Sequence, residues 1–513
     1  MDRVVVGTEP LSEADVVAVA RSGAGVRLSP EAGIAMERAR TTVAALAADT
    51  EPHYGISTGF GALATRTIPP EQRRLLQRSL IRSHAAGSGP EVEREVVRAM
   101  MLLRLSTMAT GHTGVHPGTA EVLAAMLDSG ITPVVHEHGS LGCSGDLAPL
   151  AHVALVLIGE GHARDATGRL SPAAELLGRH GIVPRELDEK EGLALINGTD
   201  GMLGMLVLAC TDLELLLRTA DVAAAMSVEA MLGTDRVFAG ILQSLRPQPG
   251  QAAAAANMRA LLADSPIVAS HAGPDCTYVQ DAYSLRCAPQ VAGAVRDTLA
   301  HARRTAEFEL ASAIDNPVVT TDDTVESNGN FHGAPIGYVL DFLAIAVADL
   351  ASMSERRTDR MLDPARSRGL PAFLAADPGV DSGYMIAQYT AAGIVSECKR
   401  LASPASVDSI PSSAMQEDHV SMGWSAARKL RRSIDGLRRV LAIEILCAAR
   451  ALDLRRPLEP GRATGAVVAA LRETVAGPDH DRVVAAEIAA AVDLVHSGGV
   501  VAAADSTLAV PLR

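Results

Sequence analysis

The chain has 513 residues, of which 48% are hydrophobic but only 3% aromatic. Its formal net charge is −14, and its basic residues form no stripe, which argues against a nucleic-acid binder. Six cysteines without a C-x-x-C pair exclude a disulfide framework and a zinc ribbon, so a reduced, cytoplasmic setting is expected.

Arg3 to Val6 reads as a short strand, and Ser12 as the cap of a helix from Glu13. His53 to Ala64, with Gly55, Gly59 and Gly61, reads as an ordered loop. Helices are expected over Gln72–His84 and Val92–Thr110, then a short strand over Ile131–Val135. A glycine-rich stretch, His138 to Asp146, leads into an apolar helix ending near Gly159. Beyond about residue 197, long Ala- and Leu-rich segments take over: Leu203–Met231, Pro289–Ile314, Ile336–Met361 and Trp424–Leu452. Such lengths suit a large helical bundle. Polar loops interrupt them near Asp275–Arg286, Glu326–Gly333 and Pro411–Gly423. A soft boundary falls near 200, giving an N-terminal region, 1–200, and a long-helix body, 201–513. The most membrane-like stretch, Tyr338 to Met353, is broken by Asp341 and Asp349, and no basic start with an apolar run marks a leader, so no membrane partner is expected.

Several motif matches carry little. Gly55-Ile56-Ser57-Thr58-Gly59 fits a nucleophile elbow literally, but no helix follows it. His112 and His116 are separated by helix breakers, and His136 and His138 fit no metal motif, so no metal is expected. Lysine occurs only at 190, 399 and 429, which leaves little room for pyridoxal phosphate.

Gly142-Cys143-Ser144-Gly145-Asp146 is the informative stretch. The amide nitrogen of Gly145 can attack the carbonyl carbon of Cys143, because glycine has no Cβ to block the bend. Loss of one water closes an imidazolone ring. Loss of the Ser144 hydroxyl as a second water leaves an exocyclic methylidene, an electrophile made from the chain itself.

The run from His138 to His152 resembles the prosthetic-group motif of the histidine/phenylalanine/tyrosine ammonia-lyase family. Other segments resemble it in order: His53–Gly61, Ser83–Gly87, Asn197–Thr199, Gln280–Cys287, Glu326–Gly333 and Gln416–Ser421. The resemblance implies a mainly α fold of fumarase/aspartase-like architecture, with an elongated central helical bundle and a smaller mixed N-terminal region. That region would carry 4-methylidene-imidazol-5-one (MIO), formed from Cys143, Ser144 and Gly145. The family usually has alanine where this chain has Cys143, a residue that fills space and is not consumed. A homotetramer with active sites shared between subunits is also implied.

The implied reaction removes ammonia and a β-proton from an amino acid. Tyr54 would be the β-proton base, with Tyr283 assisting near the prosthetic group. Arg286 would hold the substrate carboxylate in its planar fork. Asn197 would donate hydrogen bonds to the ring oxygen and the carboxylate. Gln280 would be a polar wall and Phe331 would pack beside the ring. Asp146 would cap the helix after it. His84, in the pair Ser83-His84, and Glu417 match the histidine-specific branch, where they would bond an imidazole on both nitrogens. The expectation is therefore L-histidine to trans-urocanate. The alternatives are a tyrosine ammonia-lyase or aminomutase, and a silent amino-acid-binding scaffold. Ser57 and Met415 stand where many relatives have asparagine.

Overall fold

The computed structural model describes residues 3–273 and 279–513. β1 (Val4–Val6) pairs in parallel with β2 (Val26–Leu28), with α1 (Glu13–Ala20) between them. α1 starts at a capping box, in which the Asp15 amide donates to Ser12 Oγ and the Ser12 amide to the Asp15 carboxylate. α2 (Pro30–Ala48) starts on Ser29 with Pro30 in its first turn, a helix the expected elements lack.

α3 (Arg73–His84), β3 (Ser88–Glu91), α4 (Arg94–Ala109) and α5 (Pro117–Asp128) follow. Every residue from Val96 to Ala109 of α4 is buried, including two arginines. Both are held by main-chain carbonyls, as buried donors must be. Arg98 donates to Val19 and Leu127, and burial lowers its pKa to about 10. Arg104 donates to Ala194, Asn197 and Ile314. His116 caps α5, its Nδ1 accepting from the Gly118 amide.

β4 (Thr132–Pro133), β5 (His136–His138), α6 (Leu147–Leu157), β6 (His162–Arg164) and β7 (Leu170–Pro172) complete the mixed part. β3 pairs antiparallel with β5, and β4, β6 and β7 form a small sheet in that order. α7 (Ala173–Arg179), α8 (Glu191–Ile196) and α9 (Asp200–Ala230) lead into the helical body.

That body contains the expected long helices, now bounded as Asp200–Ala230, Ala288–Leu310, Ala334–Leu362 and Gly423–Leu454. The fold is mainly helical, as expected. The loop expected over Asp275–Arg286 lies partly outside the described residues, with Cys276, and its later part contains the single turn Tyr283–Arg286. Cys143, Cys210, Cys287, Cys398 and Cys447 are free thiols. Ala334–Leu362 is long and apolar enough to cross a membrane, but 61% of its most apolar window is buried within the protein.

The chain divides into two compact units. The first comprises Met1–Leu208, Ala302–Asp341 and Pro404–Arg428; the second comprises Ala209–His301, Phe342–Ser403 and Lys429–Arg513. In the first, Ala39, Val43, Ile56 and Val319 form one buried cluster. In the second, the buried Glu444 carboxylate accepts from Ser227, Ser354 and Arg357. Arg357 also donates to the Ser284 carbonyl at 3.2 Å, beside the Tyr283–Arg286 turn.

Candidate active site

The Gly142–Gly145 turn joins β5 to α6 in the first unit. Gly142 and Gly145 have φ of +65° and +72°, a region that favours glycine. At Gly145 the crowding is more restrictive than the dihedral. A Cβ there would lie 2.1 Å from the Gly198 oxygen and 2.3 Å from its carbonyl carbon. The Asp146 amide donates to that same oxygen at 2.7 Å. On the other side, the Gly142 carbonyl accepts from Ser421 Oγ at 2.6 Å and from the Gly333 amide at 3.1 Å. The Met422 amide donates to Leu141 at 2.8 Å. Three remote parts of the sequence thus wall in one tight turn.

Asp146 does not use its carboxylate as a cap, contrary to expectation. The carboxylate accepts from Ser140 Oγ at 2.8 Å and from the Met202 amide at 2.9 Å, which ties the turn to α9. Full burial pushes its pKa up to about 7, although both hydrogen bonds oppose the shift.

Behind Gly198 lies a buried set of charges that the motifs do not reveal. Arg104 faces Asp200 at 3.4 Å. Thr199 Oγ1 donates to Glu309 at 2.6 Å. Lys190 pairs with Asp315, and both side chains are fully buried. Two signals were available in the sequence. Arg104 interrupts an apolar helical run, and Lys190 is one of only three lysines.

Ser144 opens onto a cavity of about 880 Å³ also lined by Tyr54, His84, Asn197 and Glu417. A second cavity, of about 440 Å³, is lined by Tyr54, Cys143, Ser144, Phe331 and Glu417. Seven of the expected site residues therefore face these two spaces, and Gly145 is the buried pivot of the turn.

Tyr54 Oη accepts from the Gly61 amide at 3.3 Å. Ser57, one of the two departures, is buried and accepts the His53 amide at 2.9 Å, so it closes the loop that carries Tyr54. His84 Nδ1 lies 3.0 Å from both the Leu80 carbonyl and Ser83 Oγ, which commits that nitrogen locally. Burial lowers the His84 pKa, with the Leu80 carbonyl and the Glu417 charge opposing it. Asn197 Nδ2 donates to the Asn316 carbonyl at 3.0 Å, while its buried Oδ1 has no hydrogen-bond partner. Asn316 itself lines both cavities, and its Oδ1 accepts from the Asn328 amide. Neither Asn316 nor Asn328 was expected at the site.

Glu417 sits directly on the Cys-Ser-Gly turn. Its Oε1 accepts from Ser144 Oγ at 3.1 Å, and its Oε2 from Cys143 Sγ at 3.3 Å and Ser412 Oγ at 2.8 Å. A tight loop presents it, with Ser412 and Glu417 bridged through their main chains. Ser413, Ala414 and Met415 inside the loop have φ of 49°, 52° and 70°. Left-handed backbone without glycine stores strain, and asparagine relieves it better than methionine. That gives a physical meaning to the second departure, at Met415.

Gln280, Tyr283 and Arg286 belong to the second unit and do not line these cavities. The Arg286 guanidinium lies 4.6 Å over the Tyr283 ring, a cation–π contact. Arg286 Nε is buried without a hydrogen-bond partner, and Tyr283 is 70% exposed.

Comparison with known proteins gives the class that this turn and helical body belong to, a carbon–nitrogen lyase. Residues 11–473 match the family model described as aromatic amino acid lyase. The chain is 64% identical to the histidine ammonia-lyase of Streptomyces avermitilis, over 99% of each chain, and 63% identical to that of Streptomyces coelicolor over 100% of each. Among solved structures it is similar to the histidine ammonia-lyase of Trypanosoma cruzi, with a TM-score of 0.91 and 37% identity, covering 99% of this chain and 96% of that one. It is also similar to a tyrosine aminomutase from Streptomyces globisporus, with a TM-score of 0.94 and 38% identity over 100% of each chain. The chain belongs to the aromatic amino acid lyase family.

That family works in general with the MIO group, and the residues here fit it. Gly145 is held where no Cβ is possible, and the Cys143-Ser144-Gly145 run lies between a Gly142 carbonyl and an Asp146 amide that are both hydrogen-bonded to remote segments.

Proposed function

We propose that the protein converts L-histidine to trans-urocanate and ammonia with an MIO group formed from Cys143, Ser144 and Gly145. The observation that carries the reading is that Glu417 and His84 share one cavity with Ser144 and Tyr54. The curated relatives at 62–64% identity, all histidine ammonia-lyases, support it. Cys143, Ser144 and Gly145 would form the MIO group, which would supply an electrophile that makes the substrate amine a better leaving group.

The chain's own residues do the rest. Tyr54 Oη takes the β-proton. The Arg286 fork holds the carboxylate. Asn197, with one N–H already given to the Asn316 carbonyl, directs its one remaining N–H toward the ring oxygen. Phe331 packs beside the ring, and Gln280 supplies a polar wall. His84 and Glu417 meet the two imidazole nitrogens, which phenylalanine would leave unpaired. In the homotetramer we propose, neighbouring copies bring Gln280, Tyr283 and Arg286 to this cavity. A cytoplasmic setting completes the reading.

The test is ultraviolet absorbance against time with L-histidine, L-tyrosine or L-phenylalanine supplied separately. A rise with histidine alone supports the reading. A rise with tyrosine alone overturns the substrate and keeps the chemistry. The Ser144→Ala variant should fold and lose nearly all activity; full activity would refute the prosthetic group.

A further inference from the structure

We propose that Cys143 and Ser412 are positioning residues that hold Glu417 to read the substrate side chain, and that loss of the Ser144 hydroxyl frees the oxygen that does the reading. This rests on the function proposed above. The two carboxylate oxygens have different partners. Oε2 accepts from Cys143 Sγ at 3.3 Å and Ser412 Oγ at 2.8 Å, whereas Oε1 accepts from Ser144 Oγ at 3.1 Å. Main-chain bonds between Ser412 and Glu417, at 2.7 Å and 3.2 Å, fix the base of the same loop.

Ring closure changes these partners unequally. The Ser144 hydroxyl leaves as the second water, with the Ser144 Cα proton, so Oε1 loses its donor. The Cys143 side chain takes no part in either loss of water, so Oε2 keeps both of its donors. One oxygen is then anchored and the other is free toward the cavity that Ser144 lines. Burial, with the Glu417 charge, pushes the Cys143 thiol up to about 12, so it remains a protonated donor at neutral pH. Hydrogen bonds to an ionised acceptor are the stronger kind, even from a weak donor such as a thiol. The alanine usual in the family at this position would offer no donor.

The experiment compares wild type, Cys143→Ala and Cys143→Ser by intact mass, by steady-state kinetics on L-histidine, and by the infrared S–H stretching band. The wild-type minus Cys143→Ala difference spectrum isolates that band. Cys143→Ala should still lose both waters. Its KM should rise about three- to tenfold, the range of one modest hydrogen bond, with the loss falling on KM more than on kcat. Cys143→Ser, which keeps a donor, should recover most of that loss. The S–H band should move when Glu417→Gln is introduced. A fully matured Cys143→Ala protein with unchanged KM, or an S–H band blind to Glu417→Gln, overturns the proposal. Mature wild-type protein that does not turn over histidine refutes the activity instead, and the S–H band then still decides whether Cys143 holds Glu417.

Discussion

Replacing Gly145 with alanine perturbs two things that can be separated. The first is the dihedral. A non-glycine residue at φ +72° costs about 1–2 kcal/mol. The second is space. The added Cβ would lie 2.1 Å from the Gly198 oxygen, far inside ordinary contact, and overpacking of this kind costs about 1–3 kcal/mol. The sum is about 2–5 kcal/mol of stability. Gly168 supplies the control. It has φ +85° and nothing within 4 Å of where a Cβ would stand, so Gly168→Ala carries only the dihedral cost. Urea unfolding followed by circular dichroism should place Gly145→Ala below Gly168→Ala by the crowding cost. Intact mass should show both waters lost in Gly168→Ala and retained in Gly145→Ala, because the attacking amide is displaced. A Gly145→Ala protein as stable as Gly168→Ala and lighter by two waters would refute the reasoning.

Arg104→Met should cost about 3–5 kcal/mol, because it leaves the buried Asp200 carboxyl without its counter-charge. Adding Asp200→Asn should recover part of that loss in the same urea titration. His152 accepts from the Gly87 amide, and burial, with His136, lowers its pKa to about 4. The folded state therefore binds fewer protons than the unfolded state between about pH 6.5 and 4. Its contribution is complete above that window and is lost as pH falls through it, so the melting temperature should drop there and drop less in His152→Gln. Met415→Asn should raise stability by about 0.5–1 kcal/mol, measured as a higher urea midpoint, since asparagine tolerates the left-handed backbone at φ 70°.

The sequence made the long helices legible because their length and composition persist over many turns. It made the cavity residues legible because they lie in short motifs. It was less open about elements whose signals point two ways. Pro117 reads as a breaker, yet it is the first residue of α5, with His116 as an unusual cap. Ser88–Glu91 contains Gly89 and Pro90 and does not look like a strand, yet it pairs with β5. The Asp146 carboxylate was misplaced because its partner, the Met202 amide, is 56 residues away. The wall around Gly145 was hidden for the same reason. Gly198, Gly333 and Ser421 gain their roles only through contacts that no local spacing encodes.

The bond from Ser421 to the Gly142 carbonyl spans 279 residues. During synthesis the turn would leave the ribosome long before Ser421 exists. Under the proposed chemistry, a ring closure that needs the Gly142 carbonyl held in place would wait for that late segment. The loss of two waters would then act as a permanent time stamp, written only on chains that have finished folding. Truncated or misassembled copies would carry an inert serine instead of a reactive group loose in the cell.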